Sequence, residues 1–451
     1  MTIKTSVFLI IDYNLARVAE VAHMSDYARR RYHVDTLLIR ANPGEHDKRL
    51  CDHVIALDPR SPGFVDAAFE ALAPWRHALR GAIVFSDNAV FNGAALLERL
   101  GLPADSAELA LGAFSKLEYR RTETRFRDIL AAQRIMTPGC QAVATLEDLE
   151  RFAAAHPEGF VIKPSCEGNN RGVVMLRSGD DLTSALNEVM PYLESGVICE
   201  QLIPYHREFS YDGVGRLSFV TEKVSASGRY PVEVAQVVPA RLEQHENETL
   251  RRAGEAANWL VGQRDGPFHN EIKLSDDGRS AAVVEPNRRP AGMKIWKLAE
   301  TVFHVDFYKL WIDSVLGGGF EASVLAPTCQ AASVMLGVAA DSWFAPEEVR
   351  PGEELLNRAL AATRQRHGLA ENALRIIDFN WLGQDRRFVP AVPRDNGDFV
   401  ACVCISLHTD AVDIREVVAS VRDCWTESLG RITSADDKSE SLEQVGVQLA
   451  S

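Results

Sequence analysis

The chain has 451 residues, with 49 Lys and Arg against 63 Asp and Glu and a formal net charge of −14 at pH 7. That acidic balance argues against a nucleic-acid backbone as partner, since phosphate recognition needs a basic face. No apolar stretch approaches the roughly 20 residues of a membrane-spanning helix, and no signal-peptide apolar region precedes the first strand, so a cytoplasmic location is expected. Eight scattered cysteines form no Cys-x-x-Cys pair and read as small reduced core residues. Cys402 and Cys404 could hold a metal, but the alternating strand around them favours core packing.

Strands and helices alternate at the start. Val7 to Ile11 reads as a buried strand ending at Asp12, followed by a helix over about 14–31. Further strands are expected at Val34 to Arg40, Val54 to Leu57 and Gly81 to Phe85, the last ending at Ser86-Asp87. Such alternation gives a small open α/β sheet. No Gly-x-Gly-x-x-Gly follows the first strand, so it is not a dinucleotide domain.

A helical connector is expected from Lys116 to Arg134, broken by Thr137-Pro138-Gly139. Phe160-Val161-Ile162-Lys163-Pro164 is a short buried strand ending in a lysine; alone, Lys163 could be an edge lysine whose head reaches solvent. Ser165 to Gly172 follows, then the apolar run Val173 to Leu176. Strand, small-residue loop, strand is a phosphate cradle: glycines let backbone N–H groups approach oxygens, and Arg171 adds charge. The loop is not a Walker A, because no Gly-Lys-Ser/Thr closes it. Asn169-Asn170 could be only a turn.

Val197 to Pro204 is a strand running into a bent connector that can offer backbone groups to a flat base edge, and Glu208 begins the strand Phe209 to Val214. A carboxylate there can accept ribose hydroxyls. Next come Glu271, in His269-Asn270-Glu271, and Glu285, delivered by the run Ser280 to Val284 after an Asp277-Gly278 hairpin turn. Adjacent antiparallel strands can aim both carboxylates at one point. With Asn287 they form an all-oxygen set suited to Mg²⁺ or Mn²⁺. His269 reads as structural rather than catalytic. Arg288 is a second candidate carboxylate binder beside Arg289.

Ile295 to Leu316 reads as one long helix ended by Gly317-Gly318-Gly319. Beyond it, a strand at Ala331 to Val338, a helix at Glu353 to Arg366, a strand at Phe399 to Leu407 and a helical apolar stripe from Ile414 to Trp425 suggest an α+β unit. From about Ser434 the tail is polar.

In this order the motifs resemble the ATP-grasp carboxylate–amine ligases, over roughly residues 5–320. The resemblance implies an N-terminal pre-ATP-grasp α/β domain (1–114), an ATP-grasp module (115–325) and a C-terminal α+β subdomain with a tail (326–451). Within the module, a lid-bearing subdomain spans about 137–210 and a metal-bearing one about 211–320. By the same resemblance, Lys116 and Lys163 look like nucleotide lysines, and Gly168, Asn169 and Arg171 like parts of the lid. Glu200, Gln201 and Ile203 look like adenine-edge contacts, and Glu208 like the ribose ligand. Glu271, Glu285 and Asn287 look like the metal ligands, and Arg289 like the arginine that steadies the acyl phosphate or the substrate carboxylate. ATP and Mg²⁺ or Mn²⁺ are the implied cofactors. The partners would be small carboxylates and amines, amino acids above all, with a homodimer expected and no nucleic acid or membrane. Length and C-terminal extension look most like the L-amino-acid ligases that build dipeptide natural products; there Met293 and Trp296 could bound a side-chain pocket, although Trp296 reads equally well as core. The competing readings are a carboxylase of nucleotide biosynthesis, a ligase acting on a carrier protein, and a nucleotide-binding protein without catalysis.

Overall fold

The structure, a computed structural model, describes residues 6–317, 324–349 and 352–430. Strands β1 (Ser6–Ile11), β2 (Val34–Arg40), β3 (His53–Ala56) and β4 (Leu79–Val84) pair in parallel in the order β3-β2-β1-β4. The unbroken apolar sequence of β1 follows from burial on both faces. Phe8 and Ile10 pack with the helix Val18–Tyr32, while Val7, Leu9 and Ile11 pack with the helices Phe64–Ala71 and Val90–Arg99. Strand order reverses between β1 and β4, and in such sheets the crevice beyond the strand ends at that point is where ligands bind. Asp87 lies just beyond β4.

A small antiparallel sheet follows: β5 (Cys140–Val143), β6 (Phe160–Pro164), β7 (Val174–Leu176) and β8 (Val197–Gln201), ordered β5-β8-β6-β7. The large sheet contains β9 (Arg207–Val214), β10 (Leu217–Ser225), β11 (Glu233–Val238), β12 (Pro267–Leu274), β13 (Ala281–Asn287) and β14 (Gln330–Leu336). Farther along the chain, β15 (Ser342–Phe344) and β17 (Arg387–Val389) pair apart, while β16 (Leu374–Trp381) and β18 (Ala401–Leu407) join the large sheet. Its order is β13-β12-β9-β10-β11-β14-β18-β16, antiparallel throughout. Because β14 pairs with β11, continuous sheet crosses the boundary expected near residue 325. Cys402 and Cys404 are buried free thiols on β18, which is core packing.

Two helices expected as single elements are each divided. The connector is Lys116–Arg125 and Arg127–Ala132, with Phe126 between them off the helical conformation. The long helix is Ile295–Phe303 and Phe307–Leu316. His304 ends the first in the left-handed region (φ 57°), and Asp306 caps the second by accepting from the Lys309 N–H at 3.1 Å. A helical signal read only from apolar spacing passes over such a stop and restart. Gly317 ends the second with φ 112°, whereas Gly318, Gly319 and the tail from Ser434 lie outside the described residues. Among the described residues no helix is long and apolar enough to cross a membrane.

The helix Gln244–Leu260 packs behind β9, β12 and β13, and Gly254 sits where it meets Tyr211. A Cβ at Gly254 would lie 2.2 Å from the Tyr211 ring. Gly254→Ala should therefore destabilise the chain by roughly 1–3 kcal/mol despite alanine's better helix propensity, read as a lower denaturation midpoint with an unchanged slope.

Candidate active site

The hairpin β12–β13 sets the geometry. Asp277-Gly278 forms the turn, with Gly278 at φ 69°, and the pairing places Glu271 directly opposite Glu285 and His269 opposite Asn287. Register shifts after Glu271, leaving Val284 as the extra residue of a bulge, a device that re-aims a side chain. β13 is an edge strand, which is why Pro286 is tolerated within it. Each carboxylate has its own lysine: Lys223 Nζ lies 2.8 Å from Glu271, and Lys116 Nζ 2.8 Å from Glu285. Burial pushes both carboxyls up, but the lysines outweigh it and both stay below the usual glutamate range, Glu271 well below. His269, also near Glu271 at 3.4 Å, binds the buried Asp212 through Nδ1 at 2.6 Å. Burial lowers the imidazole's affinity for a proton, yet Asp212 prevails and raises it to about 9.

Lys116 also ties down the loop that follows β6. Its backbone N–H donates to Ser165 O at 2.9 Å and its Nζ to Glu167 O at 2.7 Å, while Ser115 and Ser165 hydroxyls bond at 2.9 Å. Asn169 and Asn170 adopt φ of 60° and 59°, a conformation asparagine tolerates. The half-exposed Arg171 pairs with Glu167 at 2.7 Å, and Asn169 O accepts from the Asn396 N–H of the C-terminal region at 3.4 Å.

On the small sheet, Glu200 is buried and its carboxylate is fully engaged. Lys163 Nζ lies 2.8 Å from it, and Arg120 donates two bonds of 3.0 and 3.2 Å. Burial would raise this carboxyl, but Arg120 and Lys163 lower it to about 2. Arg120 also binds Glu123 and the Val284 carbonyl at the bulge (2.9 Å). Gln201 accepts from the Gly139 N–H at 3.3 Å, and Ile203 is partly buried in the connector that follows. Glu208, on the same face of the large sheet as Glu271, takes bonds from Lys273 (2.9 Å) and Ser225.

One cleft of about 400 Å³ gathers Lys116, Cys166, Gly168, Glu285, Asn287 and Arg289, with Asp87 on its wall. Arg289 Nε binds both Asp87 oxygens at 2.8 and 2.7 Å, so the N-terminal domain fixes this guanidinium. Arg288 faces elsewhere: it donates to the Ser106 and Val261 carbonyls and lines no part of the cleft, which removes it as a carboxylate binder there. Trp296 is buried among Phe307, Tyr308 and Trp311, so it is core and not pocket wall. Among the described residues no three His, Cys, Asp or Glu side chains gather closely enough to hold a metal alone. Two ionised carboxylates and the Asn287 amide still fit a hard divalent cation whose remaining ligands are phosphate oxygens and water.

Sequence reading missed Arg120, Lys223 and Asp212. Lys223 and Asp212 are charged residues inside β-patterned runs, a signal of paired burial that points to no particular partner, while Arg120 sits on a polar helix that carries no such signal.

Solved structures resemble nearly the whole chain. An L-amino acid ligase from Bacillus licheniformis superposes with a TM-score of 0.69 at 18% identity, covering 93% of this chain and 96% of that one. An N5-carboxyaminoimidazole synthase from Aspergillus clavatus, in complex with ADP, does so at 0.64 and 13%, covering 95% and 99%. The chain has the ATP-grasp fold. In ATP-grasp terms the small sheet and its loop face the large sheet across the cleft. Among curated proteins, an alanine–anticapsin ligase of Bacillus subtilis is 25% identical over 252 residues, 50% of this chain and 52% of the relative. The chain thus spans about half the length of the curated relatives it matches. No protein-family model matches.

The charge network gives a pH signature. Glu200's carboxyl is lowered from an ordinary 4.5 to about 2, so its stabilisation is complete above about pH 4.5 and lost as pH falls towards 2. Glu200→Gln should flatten this part of the stability–pH curve, which for wild type should fall by on the order of 2–3 kcal/mol, measured by urea unfolding across that range.

Proposed function

We propose that the chain is an ATP-dependent carboxylate–amine ligase that joins two amino acids, releasing ADP and phosphate. The observation that carries this reading is the Glu271–Glu285 pair held across the β12–β13 hairpin, with Lys116 bound to Glu285 and with Arg289 and Gly168 lining the same cleft as Glu285. The names of its relatives support it: an alanine–anticapsin ligase and an L-amino acid ligase. The substrates would be small molecules, and the acidic balance favours them over nucleic acid.

A carboxylate attacking the γ-phosphate of ATP is an anion approaching an anion. Lys116 and Lys163, now paired with Glu285 and Glu200, would neutralise phosphate charge, and Arg289, braced by Asp87, would meet the acyl phosphate. Glu271, Glu285 and Asn287 would hold Mg²⁺, which when bound supplies further charge neutralisation along the phosphates. Glu208 and the backbone of Gln201 to Ile203 would receive the nucleoside. The loop from Ser165 to Gly172 would keep water from the acyl phosphate, which otherwise hydrolyses. An amine then displaces phosphate, and no side-chain nucleophile is needed.

The test is phosphate release from ATP and Mg²⁺ against single and paired amino acids, with mass spectrometry of the products. Release that requires a pair, with a product mass equal to both less water, supports the reading. Release that requires bicarbonate would favour the carboxylase chemistry of the carboxyaminoimidazole synthases that share the fold. In the same assay Glu285→Ala should lower turnover at least 1,000-fold; undiminished turnover would remove the metal assignment. Arg289→Ala should lower kcat by about 100-fold while the Kd for ATP changes less than threefold. A change confined to ATP binding would remove Arg289 from the acyl-phosphate role.

A further inference from the structure

The reaction face carries a pair on β11 that the ligase reading leaves without a task. Gln236 lies directly across from Lys223, and Glu233 follows on the same face after a bulge. Lys223 Nζ bridges Glu233, at 2.5 Å, and Glu271, at 2.8 Å, so the β11 pair is one side chain away from the two-carboxylate centre.

Gln236 is only 1% exposed. Its Nε2 donates to Glu233 Oε2 at 2.9 Å and lies 3.7 Å from the Met293 sulfur. A carboxylate can only accept, so it fixes which end of the amide faces it. The Gln236 carbonyl oxygen is thereby turned the other way, and among the described residues it is buried without a hydrogen-bond partner. A buried unpaired acceptor this close to the two-carboxylate centre has room in its bonding for one donor from a bound molecule or a water. Beside it, Glu233 is a second acceptor, partly exposed. Met293, two residues beyond Ala291 in the loop after Arg289, accepts through its sulfur from the same amide nitrogen, and an unbranched thioether side chain adapts readily to a neighbour.

We propose that Glu233 and Gln236 are the seat of the amine substrate, and that this seat selects primary amines. A primary amine has two N–H groups and one lone pair. One N–H donates to the Gln236 carbonyl and the other to the Glu233 carboxylate, which leaves the lone pair facing the acyl carbon. As the N–C bond forms, the bond from the acyl carbon to the phosphate oxygen breaks and phosphate leaves with its electron pair. The nitrogen, now cationic and strongly acidic, gives one proton to Glu233. A secondary amine such as proline has a single N–H and cannot fill both acceptors. The inference rests on the ligase reading.

The test separates the two half-reactions in the full chain. Positional isotope exchange in ATP labelled at the β–γ bridge, with each of the twenty amino acids alone, reports acyl-phosphate formation without an amine. Amide formation with paired amino acids reports the second step. In Gln236→Met, isotope exchange should continue at the wild-type rate, which also shows that the variant folds. Its KM for the amine should rise at least tenfold. Glu233→Gln should keep exchange and lose at least tenfold in kcat for the amide. In wild type, proline and N-methylalanine should be at least tenfold poorer acceptors than alanine. An unchanged amine KM in Gln236→Met, or a loss of isotope exchange parallel to the loss of amide, would overturn the seat and assign the pair to the nucleotide. Absence of isotope exchange in wild type with every amino acid would refute the ligase reading instead, and the seat with it.

Discussion

Two glutamates facing each other across a pair of β-strands repel by roughly 3 kcal/mol at about 5 Å and an effective dielectric near 20. The register of β12 and β13 imposes that juxtaposition on Glu271 and Glu285. The rest of the site is arranged around its compensation. Lys223 comes from the neighbouring region of the large sheet, and Lys116 from the helix that leads into the small sheet. Elsewhere on the face the same rule holds: Glu200 has Lys163 and Arg120, Glu208 has Lys273, and Asp87 has Arg289. A surface held in this way is rich in charge yet nearly neutral locally. On the proposed function, phosphate and cation would replace these internal partners together, whereas phosphate alone would strip lysines from carboxylates that then stand bare.

The fold contributes position more than chemistry. The parallel sheet ends at its point of reversal, where Asp87 reaches Arg289. The small sheet supplies the loop and Lys163, and the antiparallel large sheet supplies a face on which alternate residues are charged, with Glu285 and Asn287 of β13 lining the cleft. Period-two alternation on β9 and β12 is what keeps Glu208, Asp212, His269 and Glu271 on that face while Phe209, Tyr211, Phe268 and Ile272 pack behind it.

Much of this was legible in the sequence because it is local. The carboxylates of β12 and β13, the Asp277-Gly278 turn, the strand ending at Lys163 and the loop of small residues are all short-range patterns, and each occurs where the pattern puts it. What was hidden depends on distance in the chain. Arg120 looks like any arginine on a polar helix until Glu200 and Val284 are brought to it. Arg288 and Arg289 are indistinguishable by residue type, and only the twist of the chain after β13 sends one to backbone carbonyls and the other to the cleft. β16 went unseen because its alternation changes phase at Ile376-Ile377, where the register shifts by one residue on an edge strand.

Arg120 has a mechanical side as well. With one guanidinium it grips Glu200 of the small sheet and the carbonyl of Val284, the bulged residue next to Glu285. The small sheet cannot swing away as a rigid plate without taking one of those two bonds from a buried cation. The tie acts like a strap across a hinge: it couples the separation of the two sheets to the placement of the Glu285 backbone, so that the aperture of the cleft and the aim of its carboxylate are a single degree of freedom.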